Sequence, residues 1–175
     1  YRIGSRKPLP ESMLQWESFA SPFDGRGAMV EQKFGITEEG KITDFWDKSC
    51  FFRIKIDLAL IAAVPDPYNG YIADWKTGSS KFEDPFELEI AAVFLKARYP
   101  SLTNVQGSYI WLKENRMGQL YNLSDFNGTW ARVCNLMEEI ESKQPHEFEK
   151  RKSGLCGYCA VRDCANWYDA KARQG

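Results

Sequence analysis

The sequence predicts an α/β domain built on a mixed central sheet flanked by helices. Several short stretches alternate apolar and polar residues with the period of a strand, and two longer ones repeat every three to four residues. The two kinds are interleaved as helix, strands, helix, strands, helix, the order of a sheet covered by helices. With 175 residues the chain fits one domain, long enough to bury roughly 70% of the surface its unfolded form exposes.

The elements follow in order. Residues 1–10, YRIGSRKPLP, hold a glycine and two prolines and read as an irregular lead-in. In PESMLQWESFA, Met13, Leu14, Trp16 and Phe19 have near-helical spacing and predict a short amphipathic helix. AMVEQKFGITEEGKITDFW alternates about an E-E-G turn and reads as a hairpin. FFRIKIDLALIAAV follows, with Phe52, Ile54, Ile56 and Leu58 expected on one face. PDPYNG, 65–70, is a strong turn signal leading into a second strand, YIADWK.

The clearest helix is EDPFELEIAAVFLKARYP. Asp84 is placed to cap it, Pro85 suits its first turn, Phe86, Ile90, Val93 and Ala97 set its rhythm, and Pro100 stops it. NVQGSYIWLKENRMGQLYNLS reads as another hairpin, turning at E-N-R-M-G. SDFNGTWARVCNLMEEIESKQ is a second long helix, with Trp130, Val133, Leu136, Met137 and Ile140 as its apolar face. A basic passage, EFEKRKSG, then leads to a cysteine cluster.

Lys and Arg total 23 against 24 acids, with a single His, for a net charge of −1. That excludes a globally basic nucleic-acid binder, so phosphate contacts would need a local patch. The longest apolar run, LALIAAV at 58–64, is too short to span a bilayer, so no membrane partner is expected. The first residues lack a signal-peptide pattern, which places the expectation in the cytoplasm. The start at Tyr1 suggests a trimmed piece of a longer chain.

Two carboxylates and a lysine carry the chemical signal. Asp57 lies inside a strand, where propensity disfavours it. Asp74 ends the next strand, with Lys76 two residues on, on the same strand face. Strands joined by a turn pair antiparallel, so counting outward from 65–70 brings Asp57 and Asp74 together. Carboxylates at close range repel unless a cation neutralises them, and Mg²⁺ accepts one or two carboxylates with water and phosphate oxygens. Lys76 can then position an attacking water and stabilise charge on a phosphate. Glu31, in the upstream strand, is a candidate further ligand. The bland reading is a surface ion pair beside a turn.

IDLALIAAVPDPYNGYIADWKTG resembles the D…D-x-K-T-G core of the RecB-like branch of the PD-(D/E)XK nuclease superfamily. The resemblance runs through most of the chain: a helix follows, then a hairpin, a Trp-bearing helix and a terminal C-x-x-C-x4-C cluster. It implies a restriction-endonuclease-like core at 28–145, an N-terminal lead-in and helix at 1–27, and a Cys-rich metal-binding tail at 146–175. It further implies an Mg²⁺- or Mn²⁺-dependent deoxyribonuclease, expected to be an exonuclease in recombination, repair or phage replication, with a helicase or recombination partner. Asp57, Asp74, Lys76 and Glu31 are then the catalytic set, and Trp75 joins Asp57, Asp74 and Glu31 as the metal set. Three departures stand out. Ile54 replaces a common glycine, the family's early His has no counterpart, and its Q-L-x-x-Y motif falls with Glu87 at the Gln and Ala91 at the Tyr. The rival is a non-catalytic nucleic-acid-binding or interaction domain of the same fold.

Cys156, Cys159 and Cys164 have metal-knuckle spacing, in a setting where metal or redox chemistry outranks disulfides. The resemblance implies a [4Fe–4S] cluster, with Cys50 the first choice of fourth ligand and Cys134 behind it. His146 offers the alternative, a Cys₃His zinc site. For DNA the candidate contacts are Lys81, Glu87, Lys96, Arg98 and the run Lys150, Arg151, Lys152, with Trp75, Tyr109 and Trp111 placed to stack on unpaired bases.

Overall fold

The computed structural model describes residues 8–62 and 68–169. Most of the expected lead-in, and residues 65–67 of the expected P-D-P-Y-N-G turn, lie outside those residues. The chain divides into two compact units, Tyr1–Cys134 and Asn135–Gly175.

The first unit is the expected mixed sheet with helices. Its strands are β1 (Met29–Ile36), β2 (Ile42–Thr43), β3 (Phe52–Ile61), β4 (Asn69–Lys76), β5 (Asn104–Trp111), β6 (Arg116–Met117) and β7 (Tyr121–Asn122). They form one seven-stranded sheet in the order β2-β1-β3-β4-β5-β6, with β7 also pairing β5. Only β4 and β5 run parallel. Parallel neighbours need a crossover, and helix α2 (Phe86–Arg98) supplies it. Its first turn is capped as expected, the Phe86 N–H donating to Asp84 Oδ1 at 3.0 Å. The two hairpins turn on residues that tolerate left-handed backbone, Gly40 at φ 76° and Asn115 at φ 48°.

The sheet's two faces are covered unequally. On one, Leu88 and the run from Ala91 to Leu95 on α2 pack against Ile56, Ile72 and Val105. On the other, Phe23 and Phe19 of the N-terminal segment cover Leu58, Ala73 and Ile110. That segment is a 3-10 helix at Glu11–Trp16, a four-residue α1 (Glu17–Ala20) and a further 3-10 turn at Ser21–Phe23. It is anchored by the Trp16 indole N–H, which donates to the Leu112 carbonyl at 3.0 Å.

One expectation fails informatively. Leu58 leaves the face of Phe52, Ile54 and Ile56, while Ala59 and Ile61 join it. Strict alternation cannot place residues 56 and 59 on one side, so β3 switches faces at Asp57. β1 does the same: Met29 packs with Phe34 and Ile36, an odd step away. Glu31 takes up the irregularity with a left-handed backbone, φ 55°. Such backbone in a non-glycine residue is uncommon and costs of order 1–3 kcal/mol. The register places Glu31 opposite Asp57, so both strands break step at one level.

Helix α3 (Phe126–Ser142) starts in the first unit and ends in the second. Asp125 Oδ1 accepts the Gly128 N–H at 3.0 Å, and Thr129 and Val133 are buried. Leu136 and Ile140, expected on its apolar face, are exposed. The second unit holds short 3-10 turns at Pro145–Glu147 and Gly154–Tyr158. Among the described residues no helix is long and apolar enough to cross a membrane.

Candidate functional site

The β3–β4 ladder pairs Ile61 with Gly70, Leu60 with Tyr71, Ala59 with Ile72 and Leu58 with Ala73. One step further, Asp57 faces Asp74. There the ladder gives way to a side-chain contact, as Asp57 Oδ2 accepts the Trp75 backbone N–H at 3.1 Å. The two aspartates line one cleft with Glu87 and Leu88 of α2 and with Ile54, Lys55 and Ile56 of β3. The face switch in β3 is what allows Asp57 and Ile56, adjacent in sequence, to border the same cavity.

Lys76 is held by three groups. Its Nζ lies 2.8 Å from Asp74 Oδ2 and 2.6 Å from Glu87 Oε2, and 5.2 Å from the centre of the Tyr109 ring. Tyr109 is itself fixed, its OH donating to the Asp84 carbonyl at 2.7 Å. Burial works to lower the Lys76 pKa, but the carboxylates of Asp74 and Glu87 outweigh it and hold it raised. Burial, with Glu87 and Asp74 nearby, pushes the Tyr109 phenol up, so it stays neutral.

Asp74 is the strained member. Burial pushes its pKa up to about 6, the Glu87 and Asp57 charges push the same way, and Lys76 pulls against them. Its Oδ2 is buried, with the Lys76 ammonium 2.8 Å away as its partner. The desolvation of that carboxylate costs free energy that a bound cation would offset further.

The other expected site residues fare differently. Glu31 is exposed, forms its ion pair with Lys55 and is not part of the cleft wall. Glu87, one of the expected DNA contacts, stands in the cleft. Tyr109 and Trp111 are buried, the latter donating its indole N–H to Glu83 Oε2 at 2.8 Å, so neither offers a face to a base. Trp75 packs half-buried against the second core cluster. Lys96 is consumed by the carbonyls of Pro100 and Leu102, each at 2.7 Å. Lys81 and Arg98 are exposed, as are Lys150, Arg151 and Lys152 in the second unit.

None of the five cysteines, all among the described residues, is in a disulfide. Cys50, in the first unit, donates its S–H to the Phe52 carbonyl at 3.2 Å. In the second unit Cys156 Sγ accepts the Ser153 N–H at 3.3 Å, and the Trp167 indole donates to the Cys159 carbonyl at 3.2 Å. His146 is exposed. Among the described residues no three His, Cys, Asp or Glu side chains are drawn together tightly enough to hold a metal ion. A Cys-rich metal site is therefore not formed among the described residues. The aspartate pair presents two carboxylates rather than three.

The sequence reading missed Tyr109 as the support of Lys76. The parallel register pairs Asp74 with Tyr109 and Lys76 with Trp111, so aligning YIADWK with GSYIW would have exposed it. No family model, curated protein or solved structure matches the chain.

Proposed function

We propose that the chain is a divalent-metal-dependent nuclease of the RecB-like kind, with its centre at Asp57, Asp74 and Lys76. The observation that carries this reading is the buried Asp74 carboxylate, its pKa raised, beside Lys76 and across the strand pair from a second carboxylate. A structural ion pair has no use for a second acid that raises the pKa of the first.

Asp57 and Asp74 are the residues that would hold Mg²⁺ or Mn²⁺, which when bound supplies charge neutralisation and Lewis-acid polarisation of a phosphate oxygen. The chain's own residues do the rest. Lys76 carries a fixed positive charge, raised in pKa and therefore present at neutral pH, beside the position a phosphodiester would occupy. Tyr109 holds that ammonium from below through its ring, and Asp84 holds Tyr109. The Trp75 N–H orients Asp57. Glu87 restrains Lys76. DNA is the expected substrate, cut to leave a 5′ phosphate.

The non-catalytic rival draws support from one feature: Lys76 already has two carboxylate partners and so resembles a structural ion-pair hub. A degradation assay decides. Wild type should cleave labelled DNA with Mn²⁺ and not with EDTA, while Asp74→Ala and Lys76→Ala should lose at least two orders of magnitude, the scale on which removing one such electrostatic group acts. Equal rates in wild type and both variants would end the catalytic reading.

A further inference from the structure

We propose that Glu87 is a positioning residue for the Asp57–Asp74 centre: it draws the Lys76 ammonium off Asp74 when a divalent cation enters between the two aspartates. The role rests on the metal-site reading of that pair.

The cleft is nearly filled. It encloses about 10 Å³, at the lower limit of what a single water needs. A magnesium ion held by one or two carboxylates keeps several of its waters, so something lining or bridging the cleft has to give. Ile56, Ile72, Leu88 and Ala91 are core residues, the most open of them 4% exposed, and close-packed side chains resist displacement. Asp57 is tied to the Trp75 backbone N–H at 3.1 Å. Lys76 is a different kind of contact. Its ammonium bridges two of the walls, 2.8 Å from Asp74 Oδ2 and 2.6 Å from Glu87 Oε2, on a side chain 29% exposed. A flexible four-carbon stem lets that group move where the core cannot.

The bridge also sets up a competition. Asp74 Oδ2 is buried, with Lys76 as its ion-pair partner among the described residues. An ammonium at that oxygen occupies it and repels a second cation. Glu87 gives Lys76 a place to go. It already touches the ammonium, and its side chain is 59% exposed against 15% for Asp74, so it keeps its charge at a smaller desolvation cost. The Tyr109 ring, 5.2 Å from Nζ, holds the ammonium from another side. Lys76 thus gives up one of two carboxylates and is not stranded. Nor does Glu87 serve as a third ligand in this arrangement, since among the described residues no three His, Cys, Asp or Glu side chains come together to hold an ion.

It follows that residue 87 acts on the ion through Lys76. With a neutral side chain at 87 the ammonium keeps only Asp74 and competes harder. With no ammonium at 76, the charge at 87 has little left to do.

Calorimetric titration with Mn²⁺ of wild type, Glu87→Gln, Lys76→Met and the double variant tests this without cleavage. The titrations are run at pH 8, above the Asp74 pKa of about 6, and in about 0.3 M KCl to screen the field of an exposed carboxylate. Glu87→Gln should weaken Mn²⁺ binding about threefold or more, and Lys76→Met should tighten it by a similar factor. In the Lys76→Met background the Glu87→Gln change should have little effect, the non-additivity of two residues acting as one unit. Equal weakening by Glu87→Gln in both backgrounds would overturn the proposal, because Glu87 would then act on the ion directly. Wild-type affinity in Glu87→Gln, or Lys76→Met no tighter than wild type, would overturn it too. Those results leave the aspartate pair as the metal site, whereas no Mn²⁺ binding in wild type or in Lys76→Met removes that site and the role of Glu87 with it. Should Lys76→Met melt below wild type, Lys76→Gln supplies the second background.

Discussion

Asp74→Asn should stabilise the metal-free protein at alkaline pH and leave it little changed in acid. Folding raises the Asp74 pKa from 3.8 to about 6, chiefly by burial. The folded chain therefore binds more protons than the unfolded one between those values, and stability falls as pH rises through that window. Below pH 4 both states are protonated and the penalty vanishes; above pH 6 it is complete. A shift of about two pK units corresponds to about 3 kcal/mol. Screening at the open side of the cleft and the lost attraction to Lys76 cut the gain from the amide to about 1–2 kcal/mol. At this chain size that is about 2–8 °C in melting temperature. Melts of wild type and Asp74→Asn in EDTA at pH 4 and pH 8 measure it. A variant less stable than wild type at pH 8, or a difference that ignores pH, would refute the reasoning.

Other perturbations follow from the same geometry. Glu87→Gln removes one of the charges raising Asp74, so the pH window of wild-type destabilisation should shift to lower pH, read from the same melts. Tyr109→Phe keeps the ring under Lys76 but loses the bond to the Asp84 carbonyl, costing about 1 kcal/mol in urea unfolding, with cleavage by the Lys76 site largely retained. Gly107→Ala should destabilise by about 1–3 kcal/mol, since its methyl would meet Leu123 Cδ1 at 2.7 Å and the Ile72 carbonyl oxygen at 2.9 Å. Glu83→Ala should cost about 1–3 kcal/mol by stripping the Trp111 indole and the Tyr121 hydroxyl of their shared acceptor.

Much of the fold was legible because local chemistry and global position agree. Asp84, Pro85 and Pro100 bracket α2, and Gly40 and Asn115 sit where hairpins need left-handed backbone. The antiparallel pairing of the two strands was legible, but a turn centred on 65–70 would set Asp57 against residue 78; the ladder starts at Ile61–Gly70 and so sets it against Asp74. The step in β1 and β3 was not legible. Glu31 with a positive φ is invisible to a period-two pattern, so its side chain was assigned to the aspartates when it pairs with Lys55. Tyr109 and Trp111 were misread as base-stacking residues because β5 is a central strand with buried residues on both faces. An aromatic there reads the same in sequence as one at a surface. Trp46 shows the converse, an indole left 74% exposed in the β2–β3 loop. The cysteine spacing suggested metal, yet among the described residues no three potential ligands come together to hold one.

The account depends most on Asp57 and Asp74 sharing one cation. Calorimetric titration with Mn²⁺ at pH 7.5 tests that directly. Wild type should bind a single ion with heat that Asp57→Asn and Asp74→Asn each abolish, while Cys156→Ser leaves it unchanged. Undiminished binding in both asparagine variants, or none in wild type, would contradict it.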